Sequence, residues 1–300
     1  MTTSSTNHMN AASMVRLFLL AAIWGASFLF MRVSVQAFGP VALIMFRVAI
    51  AAVFLWLASR WLKRDLKLGM QWRYFLTLGC LNSAFPFILF AYAAQSLPAS
   101  LLSILNATSP LFGAAIGALW LRIPLTLPVG LGLAFGLAGV TVLVGQTALL
   151  VGDRDWLALA AGLVAPASYS VASLYTKAHP GRATPFDNAH GSMWMAVLAV
   201  LPLVFLAPIR AAPNAGDWAA VALLGTVCTG TAYLLYFRLI DEVGSTRALS
   251  VTFLIPVFGV LWGALFLDEA VGWHTLLGGA LVLMGIAMTA GVLRLPALRK

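Results

Sequence analysis

The sequence predicts an all-α integral membrane protein with ten transmembrane helices, arranged as two inverted five-helix repeats with both termini in the cytoplasm. Three observations support this. Of the 300 residues, 62% are hydrophobic and 9% are charged, whereas soluble domains have about 45–50% apolar and about 25% charged residues. The apolar segments are about 20 residues long, which matches a hydrocarbon core of about 30 Å. Finally, the second half of the chain repeats the first at an offset of about 146 residues.

Short, turn-rich links separate the ten apolar segments. The predicted spans are 14–36, 40–59, 72–94, 99–121, 127–146, 156–177, 185–208, 217–239, 246–267 and 272–293. The polar residues 1–13 predict a disordered cytoplasmic tail, and 294–300 form a second cytoplasmic tail. The first apolar run is too long for a signal-peptide core, so it is interpreted as a retained span. The two repeats then cover residues 14–146 and 156–293.

The distribution of cationic residues predicts the orientation. Lys and Arg accumulate in the cytoplasmic loops of helical membrane proteins. Placing the basic 60–73 link in the cytoplasm puts 14 of the 18 Lys and Arg residues on that side. Arg154 and Arg210 fall outside, and Arg32 and Arg47 lie within spans near the outer side. The prediction is therefore that the N- and C-termini are both inside.

The internal repeat predicts the functional class. The matched pairs are Trp72 with Trp218, Gly79 with Gly225, Pro110 with Pro256, Gly113 with Gly259, Gly117 with Gly263, and Gly139 with Gly285. Each half has five spans, and because five is odd the second half enters the membrane upside down. Inverted repeats are typical of secondary transporters, whose substrate site lies near the midplane between the halves.

Four motifs in this order resemble the drug/metabolite transporter superfamily, specifically its ten-helix EamA-type members. They are WGASFLF at 24–30, FRVAIAAVFLW at 46–56, SPLFGAAIGALWL at 109–121 and IPVFGVLWGALFLDE at 255–269. The resemblance implies a bacterial inner-membrane exporter of small metabolites, often amino acids. It also implies that spans 1, 3, 4, 6, 8 and 9 form cavity walls. The two halves differ in one respect: RIPL follows span 4, whereas DEAV follows the equivalent span 9.

Spans 4 and 9 each carry a stripe of small and polar residues around a proline. The stripes are Ser103, Asn106, Pro110, Gly113 and Gly117 in span 4, and Leu249, Thr252, Pro256, Gly259 and Gly263 in span 9. Pro110 and Pro256 are predicted to break their helices. Because proline frees a backbone carbonyl that lipid cannot satisfy, the stripes are predicted to face inward. The glycines predict close helix contact. The hydroxyl and amide side chains are candidates for a cavity lining, or for hydrogen bonds within and between helices.

Further candidate lining residues lie on four other spans, where hydroxyl and aromatic side chains share one helix face. They are Trp24 and Ser27 in span 1, Asn82, Ser83 and Phe87 in span 3, Tyr169 and Ser173 in span 6, and Thr229 and Tyr233 in span 8. A mostly apolar pocket with a few polar anchors has this composition. Core packing or an interfacial belt is the alternative for the aromatic residues.

The residues that membrane-embedded enzymes need are not in the spans. All nine acidic residues fall in loops or span ends, and neither Cys80 nor Cys228 belongs to a metal-binding spacing. We therefore predict no catalytic residue, metal or cofactor. Two ionisable residues remain within spans. His190 is either a satisfied or interfacial histidine or a coupling or gating group. Arg47 snorkels outward, recognises an anion, or serves with His190 as a gating or coupling group.

These patterns predict a secondary transporter that exports small amphipathic metabolites, most plausibly neutral or aromatic amino acids, by alternating access through a central uncharged cavity. The alternatives are an exporter of nonpolar drugs or other metabolites, and a membrane-embedded enzyme, which the missing residues disfavour. The predicted partners are a small-molecule substrate and the lipid bilayer, with no nucleic acid, and the protein is predicted to be a monomer or weak oligomer. The predicted location is the bacterial inner membrane.

Overall fold

A computed structural model describes residues 10–64, 69–119, 122, 124, 126–150, 155–207 and 209–292. Within these ranges the chain forms 10 helical rods and no strands. We number the rods α1 to α10. They are α1 Ala11–Phe38, α2 Pro40–Trp61, α3 Trp72–Ala93, α4 Ala99–Leu119, α5 Leu127–Leu150, α6 Asp155–Ala178, α7 Pro185–Val204, α8 Ala215–Val243, α9 Val251–Phe266 and α10 Trp273–Thr289.

Each rod coincides with one of the ten predicted segments. In the described part of the chain, seven helices are long and apolar enough to cross a bilayer: α1 to α6 and α8. The α9 and α10 helices are apolar but shorter, with 16 and 17 residues, and α7 has 20 residues.

The start of α1 corrects the predicted N-terminal tail. Asn10 caps this helix, because its side-chain oxygen accepts a hydrogen bond of 2.8 Å from the Ser13 backbone amide. Residues 11–13 are therefore helical instead of disordered. The rest of that predicted tail, residues 1–9, and the predicted tail at 294–300 lie outside the described residues.

The α3 and α8 rods each contain a π-helical segment at the same place in the repeat. These segments are Cys80–Ala84 in α3 and Thr226–Thr231 in α8. A π-helical turn interrupts the regular α-helical hydrogen bonds and occurs frequently at functional sites. The two halves thus share a local distortion in the helices that were predicted to form cavity walls.

The two repeat-related prolines have different helical environments. The α4 rod breaks at Thr108, so Pro110 lies in the first turn of the segment Ser109–Leu119. A proline is tolerated there because its missing amide has no intrahelical partner in any case. Pro256 instead lies inside the continuous helix Val251–Phe266. The helix therefore breaks next to Pro110 but not at Pro256, and the two repeat-related prolines are not structurally equivalent.

The packing of the rods follows the internal repeat. The α1 helix packs on α9 as α6 packs on α4, and α2 packs on α8 as α7 packs on α3. The α1 helix also packs on α8 as α6 packs on α3. Three more contacts join a helix to its own counterpart, namely α5 with α10, α4 with α9 and α2 with α7. Each half therefore contributes the same set of helix surfaces to a common interior.

Close backbone contacts hold α1, α9 and α4 together. A Cβ atom on Gly25 would lie 2.8 Å from the Phe258 Cβ and 2.9 Å from the Gly259 amide nitrogen. A Cβ atom on Gly259 would overlap the Ser103 side chain. The corresponding glycine of the first half, Gly113, has room for a Cβ, whose nearest neighbour would be the Ser170 Oγ at 3.7 Å. The predicted close contact is therefore absent at Gly113.

The Gly259→Ala and Gly113→Ala variants form a matched pair at equivalent repeat positions. We expect Gly259→Ala to lower the free energy of unfolding by about 1–3 kcal/mol, because the added methyl group forces α9 away from Ser103. Gly113→Ala should leave stability unchanged or slightly raised, since alanine favours the helix. Thermal unfolding in detergent measures both effects. Equal destabilisation by the two substitutions would contradict this packing.

Candidate functional site

Arg47 lies on α2, facing the shared interior of the two halves. Its side chain is only 5% exposed. The Arg47 Nε donates a hydrogen bond of 3.1 Å to the Thr229 Oγ1 on α8, and Nη1 lies 3.6 Å from the Met31 sulfur on α1. The guanidinium carbon lies 3.8 Å from the centroid of the Phe87 ring on α3. The snorkelling interpretation of Arg47 is therefore wrong, because the side chain points inward.

Thr229 orients the Arg47 guanidinium. The π-helical segment of α8 lets the Thr229 hydroxyl donate to the Leu224 carbonyl oxygen, five residues earlier, at 2.8 Å. The same hydroxyl oxygen accepts the hydrogen bond from the Arg47 Nε. Just before this segment, Gly225 lets α8 approach α2 closely, since a Cβ there would lie 3.1 Å from the Arg47 carbonyl oxygen. One backbone distortion and one glycine thus fix the plane of the guanidinium.

No carboxylate faces Arg47 in the described part of the chain. The two ion pairs there both belong to Glu242, with Arg16 at 2.6 Å and Arg238 at 2.9 Å. A buried cation without a partner is costly in an apolar interior. The face of the Phe87 ring offsets part of this cost through a cation–π contact. The sequence analysis predicted an uncharged interior. In the described part of the chain, the interior instead contains the guanidinium of Arg47.

Aromatic rings and one amide surround the guanidinium. The Asn82 side-chain nitrogen on α3 donates to the Tyr233 hydroxyl on α8 at 3.3 Å, which joins the two halves. Tyr233 stacks on Phe237 at 5.8 Å, and Tyr169 stacks on Phe90 at 6.3 Å between ring centroids. Tyr169 and Tyr233 both lie within electrostatic range of Arg47. The structure thus brings together Asn82, Phe87, Tyr169, Thr229 and Tyr233 of the predicted lining.

Trp24 and Ser27 lie on α1 and are not among the residues that contact the Arg47 guanidinium. The Trp24 ring is 5.3 Å from the ring of Tyr236 on α8. The Ser27 hydroxyl donates to the Trp24 carbonyl oxygen at 2.8 Å and is buried. Trp24 therefore belongs to the contact between α1 and α8.

Other predicted lining residues use their polar groups within their own helices. The Ser103 hydroxyl donates to the Ser100 carbonyl oxygen at 2.7 Å, and the Thr252 hydroxyl donates to that of Leu249 at 2.8 Å. This matches the alternative of back-bonding that the sequence left open. Ser173 lies on an exposed face of α6, and Asn106 is half-buried on α4.

Ser83 and Ser192 occupy the repeat positions that correspond to Thr229 and Arg47. Both serines are fully buried. Gly79, the counterpart of Gly225, brings α3 against α7, since a Cβ there would lie 2.6 Å from the Ser192 carbonyl oxygen. The Ser192 hydroxyl donates to the Ala189 carbonyl oxygen, and the Ser83 hydroxyl has no hydrogen-bond partner among the described residues. The cation is therefore present in one half only.

His190 lies on α7 with 2% of its surface exposed. Its Nε2 accepts a hydrogen bond of 3.1 Å from the Trp194 indole nitrogen, and its Nδ1 is buried without a partner among the described residues. Its ring packs against Phe186 at 5.8 Å. His190 is therefore buried in an aromatic cluster and half satisfied, not interfacial. Among the residues that the structure describes, no group of three or more His, Cys, Asp or Glu side chains is placed to hold a metal ion.

Some aromatic residues around Arg47 and His190 were not among the predicted site residues. Phe186 and Phe237 link His190 to Tyr233 through a chain of ring contacts, and Phe90 pairs separately with Tyr169. The signal for Phe237 was its position four residues after Tyr233, which places both rings on one helix face. No residue pattern in the sequence predicted the π-helical segments that position Thr229 and Ser83.

The sequence profile described as the EamA-like transporter family matches residues 12–145 and again residues 156–291. The chain belongs to this family. It is therefore a transporter and a multi-pass membrane protein with a small-molecule substrate. The two matches to the EamA-like profile fall on the two halves that share the packing scheme above.

Relatives of this EamA-like chain cover nearly its whole length. An uncharacterized transporter of Bacillus subtilis, YoaV, is 25% identical over 89% of this chain and 92% of the relative. A probable amino-acid metabolite efflux pump of Escherichia coli is 25% identical, over 92% of this chain and 94% of the relative. A probable terminal-alkyne amino-acid exporter of Streptantibioticus cattleyicolor is 24% identical over 91% of each chain.

A solved crystal structure shares the fold of this EamA-like transporter. The superposition gives a TM-score of 0.65 at 18% identity, over 94% of this chain and 98% of the other. This likeness concerns the fold alone.

Thr229→Val tests whether the hydroxyl holds the guanidinium. We expect a loss of about 1–3 kcal/mol in unfolding free energy, because the Arg47 Nε is left buried without an acceptor. Thr226→Val is the matched control, since Thr226 lies in the same π-helical segment and its hydroxyl bonds only to the Ala222 carbonyl oxygen. Thermal unfolding in detergent compares the two variants. A Thr229→Val variant as stable as the control would refute the assigned contact.

Proposed function

We propose that the protein exports small amphipathic metabolites, in particular neutral or aromatic amino acids, from the bacterial cytoplasm by alternating access. The observation that carries this proposal is the Arg47 centre, which we define as Arg47, Thr229, Phe87, Tyr169 and Tyr233. It joins α2, α3, α6 and α8, so both halves contribute to it. Aromatic rings suit the apolar part of an amphipathic solute, and a few polar groups suit its charged end.

We also propose that all ten helices span the inner membrane as two inverted repeats, with both termini inside. An odd number of helices in each half supports the inversion. The reciprocal helix contacts and the equivalent π-helical segments support a pseudo-two-fold relation between the halves. The excess of Lys and Arg in the predicted cytoplasmic links supports the orientation.

Polar contacts between the halves at both membrane faces support a two-state mechanism. At the predicted inner face, Glu242 of the second half accepts hydrogen bonds from Ser13 and Arg16 of the first. At the predicted outer face, the Glu269 carboxylate accepts from the backbone amides of Ala99 at 2.6 Å and Ser100 at 3.0 Å. In alternating access, one set of contacts would open while the other stays closed.

Amino acids are proposed because two relatives with similar length are named as an amino-acid exporter and an amino-acid metabolite efflux pump. Nonpolar solutes are the second candidate. A groove of about 500 Å³ between α1, α8 and α9 is lined almost wholly by apolar side chains and opens on the outer surface of the bundle, where an apolar solute or a lipid chain can occupy it. Its lining includes Ala26, Phe30, Val33, Leu223, Trp262 and Phe266.

Counterflow in proteoliposomes tests the export function. The purified protein should exchange radiolabelled phenylalanine or leucine without chemical change, and Tyr233→Ala should slow this flux by about tenfold, since a buried aromatic contact is lost. Tyr92→Ala is the control, because Tyr92 is 37% exposed near the end of α3. Formation of a new product would support an enzyme instead. A flux insensitive to Tyr233→Ala would remove this residue from the solute path.

Glu269→Gln tests the contact at the predicted outer face. A neutral side chain should hold the α4 N-terminus less tightly, because the carboxylate also interacts with the positive end of the helix. In a background without Cys80 and Cys228, we expect a Ser100→Cys probe to react with an impermeant maleimide about tenfold faster. Asp268→Asn is the control, because Asp268 is exposed beside Glu269. An unchanged labelling rate would contradict this role.

A further inference from the structure

Arg47 has more hydrogen-bond donors than acceptors around it. A guanidinium carries five N–H donors in a planar fork. One of them, on Nε, is used by Thr229, and the only other polar contact is the weak one from Nη1 to the Met31 sulfur. Neither terminal nitrogen of Arg47 bonds to an oxygen atom of the described residues. Because Thr229 holds the Nε edge, the edge formed by the two terminal nitrogens is left without a strong acceptor.

The acidic side chains that the structure describes are committed elsewhere or exposed. Asp187 and Asp217 each complete a capping box at the N-terminus of their own helix. Glu242 pairs with Arg16 and Arg238, and Glu269 caps α4. The two others, Asp241 and Asp268, are exposed. Within the described part of the chain, the buried positive charge of Arg47 therefore has no anion to balance it.

The second half does not repeat this charge. Ser192 stands at the position equivalent to Arg47 and bonds to its own helix, while Ser83 replaces Thr229. The interior is thus pseudo-symmetric in its helices but carries the positive charge of Arg47 on one side only. A ligand that complements it carries one anionic group and an apolar remainder, because the other groups near the guanidinium are Phe87, Tyr169 and Tyr233.

We propose that Arg47 is the carboxylate-binding residue of the transporter. This inference rests on the proposed export function and names the solute class as small monocarboxylates with an apolar side group. The terminal nitrogens of Arg47 would hold the carboxylate through paired hydrogen bonds, as guanidinium–carboxylate pairs commonly form. The Phe87 ring and the Thr229 hydroxyl keep the guanidinium in place before the solute arrives.

A selectivity rule follows from this placement. A solute that lacks the carboxylate leaves the cation unpaired, so amides and amines of the same shape should be poor substrates. An ammonium group is not required, because no described acidic side chain lies in the centre to receive it. The transporter should therefore accept 3-phenylpropionate as well as phenylalanine, and should discriminate against phenylalaninamide and 2-phenylethylamine.

The test uses the full-length protein in vesicles of phosphatidylethanolamine and phosphatidylglycerol. Flux of the four labelled compounds is measured for the native protein, Arg47→Gln, Arg47→Lys and Arg60→Gln. The last is the matched control, since Arg60 is an exposed arginine on the same helix. In the native protein and the control, both acids should move at least about tenfold faster than the amide and amine. Arg47→Gln should abolish this preference, and Arg47→Lys should retain part of it.

A second measurement is the thermal stabilisation of the native protein by each compound in detergent. It does not require transport, and it does not depend on whether the Arg47 variants fold. The two acids should raise the unfolding temperature of the native protein, and the amide and amine should not. Amide and amine carried or bound as well as the acids would overturn the inference, as would an intact preference in Arg47→Gln. If no compound is transported but the acids alone stabilise the protein, the export function fails and the carboxylate site stands. If no compound is transported or stabilises the protein, both fail.

Discussion

A polar group in an apolar bundle needs a partner, and this constraint governs the interior of the transporter. Thr229 satisfies it twice, by donating to the Leu224 carbonyl oxygen and accepting from Arg47. The π-helical segment of α8 is what aligns that carbonyl with the threonine hydroxyl. The helix distortion, the close approach at Gly225 and the orientation of the guanidinium are therefore parts of one arrangement. Asn82 and Tyr233 extend it across the two halves.

The repeat makes this arrangement possible and then departs from symmetry. Glycines at equivalent places, Gly79 and Gly225, bring a distorted helix against its neighbour in both halves. In one half the neighbour carries Arg47, and in the other it carries Ser192. A duplicated scaffold thus provides two similar helix–helix contacts, and the difference between Arg47 and Ser192 gives them different electrostatics. Function in such a fold depends on the differences between the halves more than on what they share.

The sequence predicted the number and order of the helices, because apolar length and the internal repeat are properties of the chain itself. It did not predict the place of Arg47, since α2 is apolar on every side and periodicity could not single out an inward face. The π-helical segments also escaped prediction, because they depend on packing between distant helices. The sequence marked both prolines as helix breaks, but only the helix with Pro110 is interrupted. Ser103 and Thr252 showed the converse problem, since a hydroxyl on a predicted inward stripe can bond to its own backbone.

The carboxylate of Glu269 at the start of α4 has a consequence for sidedness. In the first half, the sequence RIPL stands where the second half has DEAV, so a symmetric acidic residue is missing there. Under the proposed alternating-access mechanism, unequal contacts would hold the outward-facing and inward-facing forms of the unloaded carrier, and these forms would differ in free energy. Such a difference cannot drive net movement, which only concentration gradients or coupled ions can do. It would set which side the resting carrier faces, and hence how much solute is needed for half-maximal rate on each side of the membrane.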